Sequence, residues 1–121
     1  MAKKILLIED EKILADMYTD KFYEAQFEVV NADTAEVGLK IAKEENPDLV
    51  VLDIILPENN GIYFLRGLRK DKNIGSIPVV VLSNLDDPQT RKEAYDLGAL
   101  DYLIKTDFTP SALINKIKKY V

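Results

Sequence analysis

The sequence contains no cysteine and no histidine. The absence of cysteine excludes disulfide bonds and thiolate metal sites, and it fits a protein of the reducing cytosol. The absence of histidine excludes acid–base catalysis by an imidazole side chain and metal binding through its ring nitrogens. Any site in this chain therefore has to be built from other polar groups.

Long apolar runs and an excess of positive charge are also missing. No apolar stretch approaches the roughly 20 residues that a membrane-spanning helix needs. The short run near the start is interrupted by Glu9 and Asp10 and does not match a secretory signal. The net charge of −5 argues against direct binding of nucleic acid, which needs clustered lysine and arginine. We therefore expect a cytoplasmic protein whose direct partners are neither membranes nor nucleic acids.

The length and composition are those of one globular domain. The chain has 121 residues, of which 47% are hydrophobic and 31% are charged. A chain of this length can bury about two-thirds of its unfolded surface. We find no linker, repeat or low-complexity segment, so we predict a single domain over residues 1–121. Because the helical pattern continues to the last residue, we expect no attached output or catalytic domain.

Four short apolar runs each end in polar side chains. They are residues 5–8 before Glu9 and Asp10, 49–52 before Asp53, 79–82 before Ser83, and 102–104 before Lys105. Continuous runs of valine, isoleucine and leucine of this length are typical of strands buried on both faces of a parallel sheet. A further, shorter strand is predicted at residues 27–30.

Segments with helical periodicity alternate with these strands. The predicted helices cover about residues 11–25, 33–45, 61–70, 88–97 and 110–121. Cap signals mark several helix ends, namely Asp33 with Glu36, Asp87 before Pro88, Gly98, and Thr109 before Pro110. The alternation predicts the α/β class: a doubly wound (βα)₅ fold, in which helices cover both faces of a five-stranded parallel sheet.

The polar residues that follow the strands should meet, because ligands of such sheets bind beyond the carboxyl ends of the strands. Taken singly, each has an ordinary explanation. Asp10 would cap the next helix, Asp53 would bond the following loop, Ser83 would sit in a turn and Lys105 would be solvated. Taken together, they describe one site with three carboxylates, a hydroxyl and a lysine.

Three carboxylates in one site repel one another. Two unit charges about 4 Å apart cost about 4 kcal/mol at an effective dielectric constant of 20, so a cluster of this kind indicates a bound cation or a reaction. Oxygen ligands without histidine or cysteine favour a hard ion, and Mg²⁺ suits them best. A carboxylate nucleophile, a divalent ion, a hydroxyl and a lysine together make up the apparatus of aspartyl phosphorylation.

These residues give the chain a resemblance to the receiver domain of response regulators. The matching motifs are Ile-Glu-Asp at 8–10, Asp-Ile-Ile-Leu-Pro at 53–57 with Gly61 closing the loop, Val-Leu-Ser at 81–83, and Asp-Tyr-Leu-Ile-Lys at 101–105. They occur in the family's order and spacing over the whole length of the chain. The resemblance implies the flavodoxin-like fold of CheY and a function in two-component phosphorelay signalling.

The resemblance also implies which residues bind metal and phosphate. Asp53 would be the phosphoacceptor. Asp53 and Asp10 would ligate Mg²⁺ together with the main-chain carbonyl of Ile55, and Glu9 would help to hold the ion through water.

Other residues would bind the phosphoryl group or respond to it. Ser83 would hydrogen-bond the group and Lys105 would pair with its oxygens. Tyr102 would be the switch aromatic, whose ring turns inward as Ser83 moves. At the mouth of the site, Ile55 and Leu85 are apolar and can neither orient nor activate water, so we expect them to lengthen the life of the phosphorylated state.

Three features depart from the family pattern. The family usually follows its lysine with a proline in a cis peptide, whereas Thr106 follows Lys105 here. A cis bond without proline costs about 3 kcal/mol, so the loop either keeps that strain or takes a trans path. Asn84 stands where most relatives have a small residue, and it could narrow the approach to Asp53 or bind the phosphoryl group. The last helix is basic, with lysines that we expect to face solvent: Lys116, Lys118 and Lys119.

The expected function is to accept a phosphoryl group from a histidine kinase or a histidine phosphotransfer protein. The partner must supply the histidine, because this chain has none. The domain would catalyse its own phosphorylation and dephosphorylation, and it would then bind a protein target through the fourth helix, fifth strand and fifth helix.

Two other functions remain possible from the sequence. A phosphatase or phosphotransferase would need a general acid near Asp53, where Ile55 stands instead. A pure interaction module would have lost phosphorylation. Asn84 and Thr106 leave that open, but the intact set of acids, hydroxyl and lysine argues against it.

Overall fold

The computed structural model describes residues 2–121, and within them five strands alternate with five α-helices. The strands are β1 (Lys4–Ile8), β2 (Glu28–Ala32), β3 (Leu49–Leu52), β4 (Val79–Ser83) and β5 (Asp101–Ile104). The helices are α1 (Lys12–Glu24), α2 (Ala35–Glu45), α3 (Gly61–Lys70), α4 (Pro88–Asp96) and α5 (Pro110–Ile117). None of these helices combines the length and the apolar character that a membrane crossing requires.

The strands form one parallel sheet in the order β2-β1-β3-β4-β5. The order reverses between β1 and β3, because the chain first adds β2 on one side and then β3 on the other. Such a reversal opens a crevice at the carboxyl edge of the sheet. The predicted doubly wound (βα)₅ fold is confirmed.

Each strand contributes side chains to two separate cores, because successive residues of a strand point to opposite faces. Leu6 and Ile8 of β1 pack in the core that contains residues of α2, α3 and α4. Ile5 and Leu7 pack in the other core, with residues of α1 and α5. This two-sided burial explains why the strands appear in the sequence as continuous apolar runs rather than alternating patterns.

Two local predictions are wrong by one or two residues, and the last helix, predicted over residues 110–121, ends at Ile117 and is followed by a 3₁₀ turn over Lys118–Tyr120. The second helix is capped by Thr34, whose hydroxyl accepts a hydrogen bond from the Val37 amide at 3.1 Å, and not by Asp33. The second strand is Glu28–Ala32 rather than 27–30, because the Phe27 amide donates to the Phe22 carbonyl at 3.0 Å and so does not join the sheet. Local patterns do not show which of two neighbouring residues caps a helix, nor at which residue a strand joins the sheet.

Arg69, near the end of α3, fastens the amino-terminal edge of the sheet. Its guanidinium group donates hydrogen bonds to backbone carbonyls of two loops: Leu97 at 2.7 Å, Ile77 at 2.7 Å, Gly75 at 3.0 Å and Gly98 at 3.4 Å. Burial lowers the pKa of this group. One side chain therefore joins α3 to the segments that lead into β4 and β5.

We expect Arg69→Met to destabilise the fold by about 2 kcal/mol, since it leaves several partly buried carbonyls without donors. Arg66→Met on the same helix is the matched control. Arg66 forms an exposed ion pair with Glu93 at 2.8 Å, and such pairs contribute roughly 0–1 kcal/mol. Urea unfolding of the two variants measures the difference, and equal losses would show that Arg69 does not fasten the loops.

Candidate functional site

Three carboxylates meet in the crevice where the strand order reverses. Glu9 and Asp10 directly follow β1, and Asp53 directly follows the neighbouring strand β3. One carboxylate oxygen from each residue lies within 4.8 Å of the others. Glu9 and Asp53 are buried, whereas Asp10 is exposed. The helix after β1 begins with Glu11 as its N-cap, so Asp10 does not cap it.

Lys105 is the cation that compensates this cluster. It follows β5, it is 9% exposed, and its Nζ lies 2.5 Å from Glu9 Oε1 and 2.7 Å from Asp53 Oδ2. Lys105 thus contacts Glu9 and Asp53, and Asp10 lies within 4.8 Å of both acids, so four of the predicted side chains gather at the ends of three strands. Lys105 is therefore no solvated strand end.

For both Glu9 and Lys105, burial and ion pairing act on the pKa in opposite directions. The pKa of Glu9 is raised because burial penalises its charged form, although the hydrogen bond from Lys105 works in the opposite direction. Burial alone would lower the pKa of Lys105, but its hydrogen bonds to Asp53 and Glu9 more than offset this, and the pKa is raised. Lys105 is consequently a firmly protonated cation between two acids.

The donor set of the cluster fits a hard divalent ion. It offers carboxylate oxygens at one point, with no nitrogen or sulfur ligand available anywhere in the chain from histidine or cysteine. Mg²⁺ prefers such oxygen ligands and retains water at its open positions, which the exposed side of Asp10 would permit.

The backbone around Asp53 is held by a close approach to α3. The Gly61 amide donates to the Ile54 carbonyl at 2.8 Å. A Cβ atom at position 61 would lie 2.9 Å from Ile54 Cα and would collide with the Asp53 carbonyl oxygen. Only glycine can occupy this position without moving the backbone of Asp53 and Ile54, so Gly61 helps to set the path of the chain that carries Asp53.

The comparisons with known proteins agree with this geometry. The family model of the response regulator receiver domain matches residues 5–118. This chain belongs to the response regulator receiver family. As a receiver domain, it is a signalling domain of two-component phosphorelay systems.

Individual relatives show the extent of the similarity. The phosphate regulon transcriptional regulatory protein PhoB of Escherichia coli is 33% identical over 118 residues, which cover 98% of this chain and 51% of PhoB. The chain thus spans about half the length of the curated relatives it matches.

Solved receiver structures share the fold. The BeF3-activated receiver domain of Klebsiella pneumoniae RstA has a TM-score of 0.86 at 28% identity, and the match covers 97% of each chain. Chemotaxis protein CheY4 of Vibrio cholerae has a TM-score of 0.91 at 22% identity over 100% of both chains.

The hydroxyl residue of this receiver is completely buried. Ser83 is 0% exposed, and its Oγ accepts a hydrogen bond from the Leu85 amide at 3.2 Å. Ser83 pairs with Ile104 in the sheet, so it lies beside the start of the Lys105 segment. The Ile55 amide donates to Asp53 Oδ1 at 3.2 Å, and the Ile55 side chain is 59% exposed.

The two departures at positions 84 and 106 are linked to each other. The Thr106 amide donates to the side-chain Oδ1 of Asn84 at 3.2 Å. The peptide bond between Lys105 and Thr106 is trans, since residues 2–121 contain no cis bond, and Lys105 opens a short 3₁₀ turn. A proline at position 106 could not donate this bond because it has no N–H. Asn84 therefore acts as a bridge between two loops of the receiver.

The tyrosine predicted to act as the switch is buried. Tyr102 is 3% exposed although it lies on the edge strand β5, and its hydroxyl donates to the Leu85 carbonyl at 2.6 Å. Arg91 of α4 covers the ring, with its Cζ atom 4.7 Å from the ring centroid. Sequence patterns did not indicate Arg91, because this contact depends on how α4 packs against β5.

We expect Asp10→Asn to stabilise the metal-free receiver by on the order of 1 kcal/mol, because it removes one repelling charge without removing a Lys105 pair. The same change should reduce the stabilisation by added Mg²⁺, which binds the folded state. Thermal melts with and without Mg²⁺ measure both effects.

The contrasting variant is Asp53→Asn. It also loses the 2.7 Å ion pair with Lys105, so the metal-free fold should gain less stability than in Asp10→Asn. Asp20→Asn on the exposed face of α1 is the control for a general charge effect. A lower melting temperature of metal-free Asp10→Asn than of the parent would contradict the expected repulsion.

Proposed function

We propose that Asp53 accepts a phosphoryl group from a phosphohistidine on a histidine kinase or a histidine phosphotransfer protein. The observation that supports this most directly is the position of Lys105, whose Nζ bridges Glu9 and Asp53 beside Asp10. A carboxylate nucleophile beside a fixed cation, at the crevice of an open sheet, is suited to attack on an anionic phosphoryl donor.

In the proposed step, an Asp53 carboxylate oxygen attacks the phosphorus of the donor. The phosphorus–nitrogen bond breaks, the imidazole of the partner keeps the electron pair, and an acyl phosphate forms on Asp53. Lys105 then pairs with phosphoryl oxygens, and the Ser83 hydroxyl donates a hydrogen bond to one of them. Water later attacks the phosphorus of the acyl phosphate, the bond between phosphorus and the Asp53 oxygen breaks, and inorganic phosphate leaves with the carboxylate restored. We propose that the domain catalyses this dephosphorylation as well.

The metal site of this proposal consists of Glu9, Asp10, Asp53 and the main-chain carbonyl of Ile55. Mg²⁺ bound there would neutralise the negative charge that accumulates on the phosphoryl oxygens. The three carboxylates within 4.8 Å of one another support this assignment. The ion would supply charge neutralisation, whereas the protein itself orients the Asp53 nucleophile and holds the positive charge of Lys105 next to it.

The output of the proposed receiver is a change in the surface formed by α4, β5 and α5. Ser83 would move toward the phosphoryl group and Tyr102 would report that movement on this surface, which would bind a downstream protein. We also propose a cytoplasmic location, which is supported by kinship with transcriptional regulators such as PhoB.

The alternative functions are supported less well. A phosphatase would need an acid beside the acyl phosphate, and the residue two positions after Asp53 is the apolar Ile55. A domain that had lost phosphorylation would not need to keep a buried lysine between two acids, an arrangement that is costly unless each charge is paired.

The proposal is tested by intact-mass measurement after incubation with acetyl phosphate and Mg²⁺. We expect one phosphoryl adduct in the parent chain and none in Asp53→Asn. Asp48→Asn, at the opposite end of β3, should be modified like the parent. An adduct that persists in Asp53→Asn would refute the assignment of the phosphoacceptor, and rapid turnover of a small phosphate ester would favour the enzyme.

We further predict a long-lived acyl phosphate, because the side chains near the mouth of the site cannot activate water. Replacing Ile55 by Asn and Leu85 by Glu should speed its loss by roughly tenfold, equivalent to about 1.4 kcal/mol of barrier. The adduct is followed by mass after removal of the donor. Leu100→Asn, at the far edge of the sheet, is the control, and an unchanged lifetime in the double variant would exclude apolar shielding.

A further inference from the structure

Arg91 of α4 contacts both the Tyr102 ring and the loop that follows β4. Its guanidinium Cζ lies 4.7 Å from the centroid of the Tyr102 ring. Its Nη2 donates to Asp86 Oδ1 at 2.9 Å, and its Nη1 donates weakly to the Tyr102 carbonyl at 3.5 Å. The guanidinium group is thus fixed over the ring by a carboxylate on one side and a backbone oxygen on the other.

The hydroxyl end of Tyr102 is fixed to the same loop. It donates to the carbonyl of Leu85 at 2.6 Å, and Leu85 is the residue directly before Asp86. The contacts form a closed circuit, which runs from the tyrosine through the loop to Arg91 and back to the ring. Tyr102 cannot turn out of this position without breaking the hydroxyl bond and losing the cation over its face.

The beginning of α4 is tied to the loop by a separate cap. Asp87 accepts hydrogen bonds from the Thr90 amide at 3.0 Å and from the Thr90 hydroxyl at 2.7 Å. Arg91 directly follows Thr90 in α4, so its backbone moves with the start of this helix. A displacement of α4 relative to β5 would therefore carry the guanidinium group away from the Tyr102 ring.

We propose that Arg91 is a positioning residue for Tyr102, because it holds the ring in its buried orientation and couples that orientation to the position of α4. Asp86 directs the guanidinium group onto the ring. A cation–π contact at a partly exposed site changes an equilibrium by about two- to fivefold, and we expect an effect of this size on the ratio of buried to exposed ring. The inference rests on the proposed function only where it treats Tyr102 as the switch.

Fluorine NMR of the protein labelled with 3-fluorotyrosine tests the contact without any phosphodonor. The chain has six tyrosines, and Tyr102→Phe identifies the resonance of Tyr102. We expect Arg91→Gln to move this resonance toward the position of an exposed tyrosine, and Arg91→Lys to restore much of the parent position because it keeps the cation.

Lys92→Gln is the matched control for the loss of a positive charge on the same helix. Lys92 pairs with Asp96 at 2.8 Å on the exposed face and should leave the Tyr102 resonance unchanged. The proposal is overturned if Arg91→Gln leaves the resonance in place, or if the control moves it equally. If Arg91→Gln does not fold, Asp86→Asn is used in its place. We then expect a smaller shift of the Tyr102 resonance in the same direction. An unchanged resonance in Asp86→Asn would overturn the proposal.

A titration with fluoroberyllate and Mg²⁺ tests the coupling to the site. We expect Arg91→Gln to weaken binding about two- to fivefold, whereas Lys92→Gln binds like the parent. Equal binding by Arg91→Gln and the parent overturns the coupling. If the parent itself binds no fluoroberyllate, the proposed function fails, while the fluorine resonance still decides whether Arg91 positions the ring.

Discussion

The arrangement at the carboxyl edge of the sheet depends on one ion-pair network, in which Lys105 reaches across to Glu9 and Asp53. These residues follow three different strands, so the network joins β1, β3 and β5 at one point. A buried carboxylate pair without this lysine would be expensive, and a buried lysine without the acids would be equally so. The same three side chains therefore form the candidate site and hold together the ends of three strands.

Much of this could be predicted from the sequence, because parallel strands buried on both faces leave a distinct pattern. The runs before Asp53 and Ser83 fix where the strands end, and the common direction of the strands brings those ends together. Residues whose role depends on packing were not predictable. Arg91 is an ordinary exposed-helix residue by its spacing, and only the placement of α4 against β5 brings it onto the Tyr102 ring.

Local signals also failed where two neighbouring residues had similar chemistry. Asp33 and Thr34 are both good N-cap residues. Because β2 extends to Ala32, Thr34 is the residue whose hydroxyl accepts the hydrogen bond from the Val37 amide and caps α2. Thr106 left two backbone paths open in the sequence. The hydrogen bond from its amide to Asn84 shows that two substitutions, which look independent in the sequence, form one contact in the fold.

The close contact between Gly61 and the backbone at Asp53 has a consequence for how this domain can vary. The Gly61 amide is bonded to the Ile54 carbonyl at 2.8 Å, so the chain between them leaves and returns at nearly the same place. The free energy of closing such a loop rises only slowly with its length. Residues 56–59, which lie between Ile55 and the α3 cap Asn60, can therefore change in length and polarity while the Asp53 backbone stays where it is. The surface that this segment presents can thus diverge among related domains without displacing Asp53.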